Sequence, residues 1–338
     1  MTSCSTARVL VVIVNYKSAG LVADVLRHLA GERACLPHLQ VAVVDNASPD
    51  DSVARLEKTT EREGWGEWVR LVAHPANAGF AAGNNVAVRL ALAEETPPDY
   101  IHLLNPDTIP EPGVVVELVS FLDRHPEVGI VGSQLLDVDH RPLASIFRFH
   151  TLLGEVSRGF RLGLLDRALQ RWVVAPQGLP AVEQECDWVC GASLMVRREV
   201  LQEVGLMDEG YFLYYEEVDF CLRAHRAGWS CWFVPSSRVV HLEGHSTGAT
   251  GAARLTRQAP LYLFDSRRRY FEKNFGRLYA AAADLALAAG LITFRIRERL
   301  QGKERADAPR LLRDFLAYSF LPQRWQAPRR SRPSATDR

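Results

Sequence analysis

Short apolar runs in the first 133 residues end on polar side chains, and a segment with helical spacing follows each. Val9 to Val14 leads into Asn15, and Val41 to Val44 into Asp45-Asn46. Val69 to Ala73 is followed by Asn77, and Tyr100 to Leu104 by Asn105-Pro106-Asp107. Runs that are apolar on both sides of the pleat predict strands buried on both faces. Helical patterns lie from about Gly20 to Ala30, from the Ser48-Pro49-Asp50 start signal to about Glu63, over Ala81 to Leu92, and from Pro112 onward. Val128 to Val131 reads as a fifth strand. This alternation predicts a parallel sheet covered by helices. Ligands of such open sheets bind beyond the carboxyl ends of the strands. The terminal polar residues therefore mark one crevice.

Regularity weakens from Gln134 to Glu185, which reads as an insertion with short strands and a helix near Leu162 to Trp172. A strand-like run returns from Asp187 to Arg197 and holds Gly191-Ala192. A helix follows over Glu217 to Ala227, then short strands at Cys231 to Val234 and Arg238 to His241. Gly244 to Gly251 has the composition of a mobile loop, and from Leu261 the pattern is helical. No internal repeat is present.

A chain of 338 residues can bury a large core, or one domain of about 250 residues plus an appendage. Zero net charge argues against a nucleic-acid partner. Residues 321–338 carry five arginines and one aspartate, which reads as a solvated, disordered basic tail or one drawn to an anionic surface. The six cysteines form no C-x-x-C pair, and the N-terminus lacks a signal-peptide core. Both predict reduced thiols in the cytoplasm; zinc at Cys186 and Cys190 is the minor alternative.

Four motifs carry chemistry. The Asp45 carboxylate could accept the N3–H of a pyrimidine while Asn46 fixes the ring, or the pair could form an Asx turn. Asn77 to Asn85, with Gly79 and Gly83, joins a strand to a helix whose N-terminus suits a diphosphate; a tight turn is the plainer role. It is neither a Walker loop nor a dinucleotide fingerprint. Asn105-Pro106-Asp107 offers one carboxylate to Mg2+ or Mn2+, or is simply a turn. Glu216-Glu217-Val218-Asp219 clusters acids that raise one another's pKa, as a general base requires, or complements a helix dipole. His241 alone is more often structural, but with Asp107 it could share a cation.

These segments occur together and in order, and the chain resembles family 2 inverting glycosyltransferases of the GT-A fold, in their rhamnosyltransferase-like branch. The resemblance runs over about residues 8 to 275. Its segments are Val11 to Tyr16, Val43 to Ser48, Asn77 to Asn85, Leu103 to Thr108, Gly191 to Arg197, Phe212 to Arg223, and His241. It implies an α/β fold with a mixed, mostly parallel sheet flanked by helices and a C-terminal helical extension. The implied domains are a catalytic domain over 1–260, with a nucleotide half at about 8–133 and an acceptor half at about 187–260. The helical extension over 261–320 and the tail follow.

The resemblance further implies a donor site built from Asn15, Tyr16, Asp45, Asn46, Asn77, Gly79, Gly83, Asn84, Asn105, Asp107 and Gly191. Asp107 is then the metal-bridging acid, His241 the second metal ligand and Glu217 the base, with Glu216 or Asp219 as alternatives. Asn105 stands where the family often has a first aspartate. The implied reaction moves rhamnose or a similar hexose from a dTDP- or UDP-sugar to a hydroxyl of a glycan or polyprenyl-linked acceptor, assisted by a divalent metal. A sugar-phosphate nucleotidyltransferase would need a basic Gly-rich loop where Asn15-Tyr16-Lys17-Ser18 stands. A non-catalytic sugar-nucleotide-binding protein would not need Asp107, Glu217 and His241 together. Residues 277–300, apolar and flanked by arginines, suggest peripheral contact with the inner face of the cell membrane, or a helix packed on the domain.

Overall fold

The computed structural model describes residues 5–176, 178–242, 260–302 and 310–321. Cys4, the Gly244 to Gly251 segment and nearly all of the basic tail lie outside the described residues. The alternating apolar runs form strands β1 (Val9–Asn15), β2 (Leu39–Asp45), β3 (Val69–Ala73) and β4 (Tyr100–Leu104). Helices α1 (Ala19–Glu32), α2 (Ser52–Arg62) and α3 (Phe80–Leu92) connect them. The sheet order begins β3-β2-β1-β4, all parallel. Every residue of β4 is buried, His102 included, as expected of a strand covered on both faces.

Beyond β4 the sheet becomes mixed. Strand β10 (Ser193–Arg197) lies antiparallel between β4 and β6 (Val128–Leu136). β6 pairs in parallel with β11 (Ser230–His241). β11 also pairs antiparallel with β5 (Thr108–Pro110) and with the short β8 (Gln184–Cys186). The order closes as β10-β6-β11-β5, with β8 off the main path. The two strands expected over Cys231 to Val234 and Arg238 to His241 are one strand with a register shift between Val234 and Arg238. Such a bulge re-aims the strand end. The run expected over Asp187 to Arg197 is split: β9 (Trp188–Val189) pairs with β7 (Ile146–Phe147), and Cys190 to Ala192 turn the chain into β10.

Helix α4 (Val114–Arg124) begins beside α1, because Glu32 accepts from the N–H groups of Gly113, Val115 and Val116 at 2.5–3.2 Å. A buried acid from another helix thus satisfies the donors at the α4 N-terminus.

The insertion holds the helix expected near Leu162 to Trp172 as two short pieces, and adds a longer, unexpected helix before it. Its principal helix is α5 (Leu152–Phe160), followed by the short α6 (Gly163–Ala168) and a 3-10 turn over Gln170–Trp172. Thr151 caps α5 by accepting from Gly154 N–H at 3.1 Å. Two glycines lower the intrinsic helix propensity of this segment, yet one of them is what the packing needs. A Cβ on Gly159 would lie 3.0 Å from Gly290 Cα, in the C-terminal helix α10 (Arg277–Leu300). Helices α9 (Leu261–Phe275), α10 and α11 (Leu311–Phe320) complete the described chain.

Candidate active site

Asn15 and Asp45 face each other at the ends of β1 and β2, both buried. Asn15 Nδ2 donates to Asp45 Oδ1 at 2.6 Å, and the Ser48 hydroxyl donates to the same oxygen at 2.6 Å. Ser48 N–H reaches Asp45 Oδ2 at 2.9 Å. Ser48 therefore does not cap α2 but closes an Asx turn, and Asp50 accepts instead from Ser52 N–H. An ionised carboxylate has about four acceptor positions. Three are taken, so Asp45 can still accept one N–H, and the turn and ligand roles are compatible. Tyr16 is half-buried beside this turn.

Asn46 Nδ2 donates to Asn77 Oδ1 and to Gly79 O, each at 3.1 Å. Its Oδ1 is buried and has no hydrogen-bond partner among the described residues. Gly79 sits at φ 91°, where a Cβ would lie 2.0 Å from Phe212 O. The same carbonyl accepts from Phe80 N–H at 2.9 Å, tying the start of α3 to the loop ahead of the acidic cluster. Gly83 lets α3 lie on β1, since a Cβ there would be 2.8 Å from Val14 Cγ1. Asn84 turns back to Phe80 O, and the neighbouring Asn85 holds Met207 O. Asn84 thus stiffens the first turn of α3.

The third strand end carries the acid. Asn105 N–H donates to Ala192 O, and the Thr108 hydroxyl to Asn105 O. The β5–β11 ladder sets His241 opposite Thr108, and Leu242 N–H donates to Asp107 O. His241 Nε2 then stands 3.5 Å from Asp107 Oδ1. Asp107 is 2% exposed, the His241 side chain 14%. An acid and an imidazole converging from two strands fit one divalent ion whose remaining positions go to phosphate oxygens and water. No group of three or more His, Cys, Asp or Glu converges among the described residues, so the pair supplies two ligands only.

The base candidates open α8 (Glu216–Arg226). Tyr214 and Tyr215, just before it, both have φ 70°. Left-handed backbone at two consecutive non-glycine residues costs about 1–3 kcal/mol each and persists where packing enforces it. Tyr215 is held by Arg158, whose partner Glu155 also binds Arg267 at 3.0 Å in a buried cluster with Asp284. Glu217 accepts N–H donation from Gly191 and Val218 as well as its own. Gly191 lies against the carboxylate: a Cβ there would stand at ordinary contact distance, 3.7 Å from Glu217 Oε1 and 3.6 Å from Phe80 Cε1. One oxygen of Glu216 and one of Glu217 have no hydrogen-bond partner among the described residues. Burial raises the Glu217 pKa, and burial plus the Glu217 charge pushes Glu216 well above the carboxylate range.

Asp219, the third acid of the cluster, is an anchor. It accepts from Tyr211 OH (3.2 Å), Arg223 Nε (3.0 Å), Lys273 Nζ (2.7 Å) and Asn274 Nδ2 (2.9 Å). Four donors leave it no capacity to take a substrate proton, and they lock α9 onto α8. Lys273, Arg267, Arg268 and Arg269, read in sequence as cations flanking an apolar helix, are all turned to acids of the fold. The Gly191 donor, the Phe212 carbonyl and the Glu155–Arg267–Asp284 cluster have no local sequence signal, since their partners are far away in the chain.

Comparison with known proteins is decisive at this point. Residues 7–259 match the model of the glycosyltransferase-like family 2. The chain belongs to this family. It is 32% identical over 197 residues to the N-acetylglucosaminyl-diphospho-decaprenol L-rhamnosyltransferase of Mycobacterium tuberculosis, covering 55% of this chain and 63% of that one. It is 24% identical over 204 residues to the rhamnosyltransferase WbbL of Escherichia coli K12, covering 59% and 75%. Among solved structures it is similar to GalNAc-T7 with UDP, GalNAc and Mn2+ (TM-score 0.55, 14% identity, 92% of this chain and 56% of that one). Residues 1–349 of Staphylococcus aureus TarS give a TM-score of 0.51 at 15% identity, covering 87% and 74%. The fold is GT-A, and within family 2 the chain is similar to rhamnosyltransferases over somewhat more than half of its length.

Proposed function

We propose that this glycosyltransferase inverts the anomeric centre, moving rhamnose or a similar hexose from a dTDP- or UDP-sugar to a hydroxyl of a lipid-linked glycan. The observation that carries the reading is Glu217, a half-buried carboxylate with a raised pKa and one oxygen without a hydrogen-bond partner among the described residues, set beside Gly191. Such a group can take a proton near neutral pH. In this reading Asn15, Asp45 and Asn46 hold the base, with Asp45 accepting its ring N–H. The Asn77 to Gly83 turn lies against the diphosphate. Asp107 and His241 would hold a divalent ion, Mn2+ or Mg2+, and such an ion, when bound, neutralises charge developing on the leaving diphosphate. Glu217 deprotonates the acceptor hydroxyl, which displaces the diphosphate in one step, so no protein nucleophile is needed.

The acceptor assignment draws on the mycobacterial relative, whose name specifies a diphospho-decaprenol acceptor. Helix α10 supports it with a stripe of exposed apolar residues, Leu278 (90%), Leu285 (60%), Ile292 (41%) and Ile296 (54%). The helix is long and apolar enough to cross a membrane, but its other face is committed to α5 and Asp284 to Arg267. Contact with an anionic lipid surface at the cytoplasmic face, rather than a span, fits this packing.

The test incubates the full chain with dTDP-, UDP- and GDP-sugars, Mn2+ or Mg2+, and a prenyl-diphosphate-linked GlcNAc. Nucleotide release and the anomeric configuration of the product are measured. An inverted linkage formed only with metal supports the reading. A retained configuration, or turnover unaffected by chelator, overturns it.

A further inference from the structure

Three cysteines that the transfer reaction does not use meet beneath the acidic cluster. In the antiparallel β8–β11 ladder Cys186 is the direct register partner of Cys231, with Glu185 opposite Trp232 and Gln184 opposite Phe233. Direct partners in such a ladder have Cα atoms about 4.5 or 5.5 Å apart. Both spacings lie inside the range of about 4.4–6.8 Å that a disulfide spans. The two side chains also leave the sheet on the same face. Cys221, from α8, brings a third thiol to the same place, so that Cys186 and Cys221 both lie within hydrogen-bonding reach of Cys231.

The three differ in access. Cys186 is partly exposed, on a short strand whose other residues, Gln184 and Glu185, face solvent. Cys221 and Cys231 are buried. A small oxidant therefore meets Cys186 first, with Cys231 behind it as the resolving thiol. No metal-binding group of three or more ligands is formed here among the described residues.

We infer that Cys186 and Cys231 are an oxidisable pair that peroxide converts to a disulfide in the native register. The Cys186 thiol gives up its proton, the thiolate attacks peroxide, the O–O bond breaks, and Cys186 sulfenic acid forms while the departing hydroxide takes up that proton as water. The Cys231 thiol then attacks the Cys186 sulfur, the S–S bond forms, the S–O bond breaks, and a second water leaves. Two thiols lose two electrons and one hydrogen peroxide becomes two waters.

The location gives the bond a consequence. Cys221 follows Glu217 by four positions, so the two share a face of α8. β8 precedes Gly191, the Glu217 donor, by five residues. A disulfide between β8 and β11 fastens the edge strand under the base candidate without displacing α8. It stabilises the fold by closing a long loop, and a thiol reductant reverses it.

The experiment treats the reduced full chain with hydrogen peroxide, alkylates the remaining thiols and maps tryptic peptides without reduction. The expected product is one linkage between Cys186 and Cys231, assigned against Cys190 by fragmentation and lost on adding dithiothreitol. It accompanies a melting temperature raised by about 5 °C or more. Cys221→Ser should keep the linkage and Cys186→Ser should abolish it. In Cys231→Ser a sulfenic acid should be trapped at Cys186 by dimedone. Should a variant fail to fold, the map of the unsubstituted chain decides alone. Recovery of Cys186 and Cys231 as free thiols, stepwise over-oxidation of Cys186 without a link, or a link to Cys190 or Cys221 instead, would overturn the inference. None of these readouts depends on transfer activity.

Discussion

His241 Nε2 stands 3.5 Å from Asp107 Oδ1, although 134 positions (241 − 107) separate the two in sequence. The β5–β11 ladder is what joins them, because it sets His241 against Thr108, the neighbour of Asp107. An ion shared by this pair and a diphosphate, as proposed, would make both side chains necessary for metal use. Asp107→Asn and His241→Ala should each raise the Mn2+ concentration for half-maximal turnover by about tenfold or more. Titration of activity with Mn2+ checks this, and an unchanged midpoint in both variants would remove the pair from metal binding.

Glu217→Gln keeps the shape of the site and removes the proton acceptor. It should lower kcat by about 10²–10⁴ while leaving the KM for the sugar nucleotide near its original value. Near-normal turnover would transfer the role to Glu216.

The pH dependence follows from the same pair. Burial raises the Glu217 pKa, so the base becomes protonated, and activity falls, at a pH above the ordinary carboxylate value of 4.5. Glu216 keeps its proton over this range, so Glu216→Gln should leave the acid limb of the pH–rate profile nearly unmoved. The sign for stability is opposite in sense. The folded state holds a proton on Glu216 that the unfolded chain has released, so stability declines as pH rises through that window. Melting temperature from pH 5 to pH 8 should drop less in Glu216→Gln than in the unsubstituted chain.

Much of this was legible in the sequence because it rests on periodicity and strand ends. β1 to β4 end where the apolar runs end, and Asn15, Asp45 and Asp107 mark those ends. What stayed hidden depends on tertiary partners. β10 runs antiparallel to both neighbours, β4 and β6, and a five-residue strand carries no sign of direction in its sequence. Helix α5 was masked by Gly154 and Gly159, which lower helix propensity but serve close packing. Asp219 read as one more acid in a cluster; only the fold reveals that Tyr211, Arg223, Lys273 and Asn274 converge on it.

The Glu155–Arg267–Asp284 cluster is linked to Tyr215 through Arg158, and it is buried, with Arg267 4% and Glu155 0% exposed. Burial alone would raise the Glu155 pKa, but Arg267 and Arg158 override it and hold the group well below its usual value. Arg267→Met should cost about 3–5 kcal/mol, since it strands two buried acids. Urea unfolding would measure the loss, and a cost under about 1 kcal/mol would show that the cluster relaxes to solvent. Because the Glu155 pKa is lowered, its contribution is complete above pH 4.5 and disappears as pH falls through the lower folded value.

Leu285 and Ile292 lie two turns apart on the exposed face of α10, pointing away from the Gly159–Gly290 contact. Replacing both with Glu leaves the packed face untouched and should change stability little. If the stripe lies on lipid, each lost side chain removes about 1.5 kcal/mol of apolar burial, so the pair should weaken binding to anionic vesicles about 100-fold. Truncation ahead of α10 would be a poor test, because it would uncover α5 and strand Arg267. Co-sedimentation of the double variant and the unsubstituted chain at low salt separates the cases. Strong binding lost in the variant supports lipid contact. Equal, negligible sedimentation of both would leave the helix as a packing element of the domain.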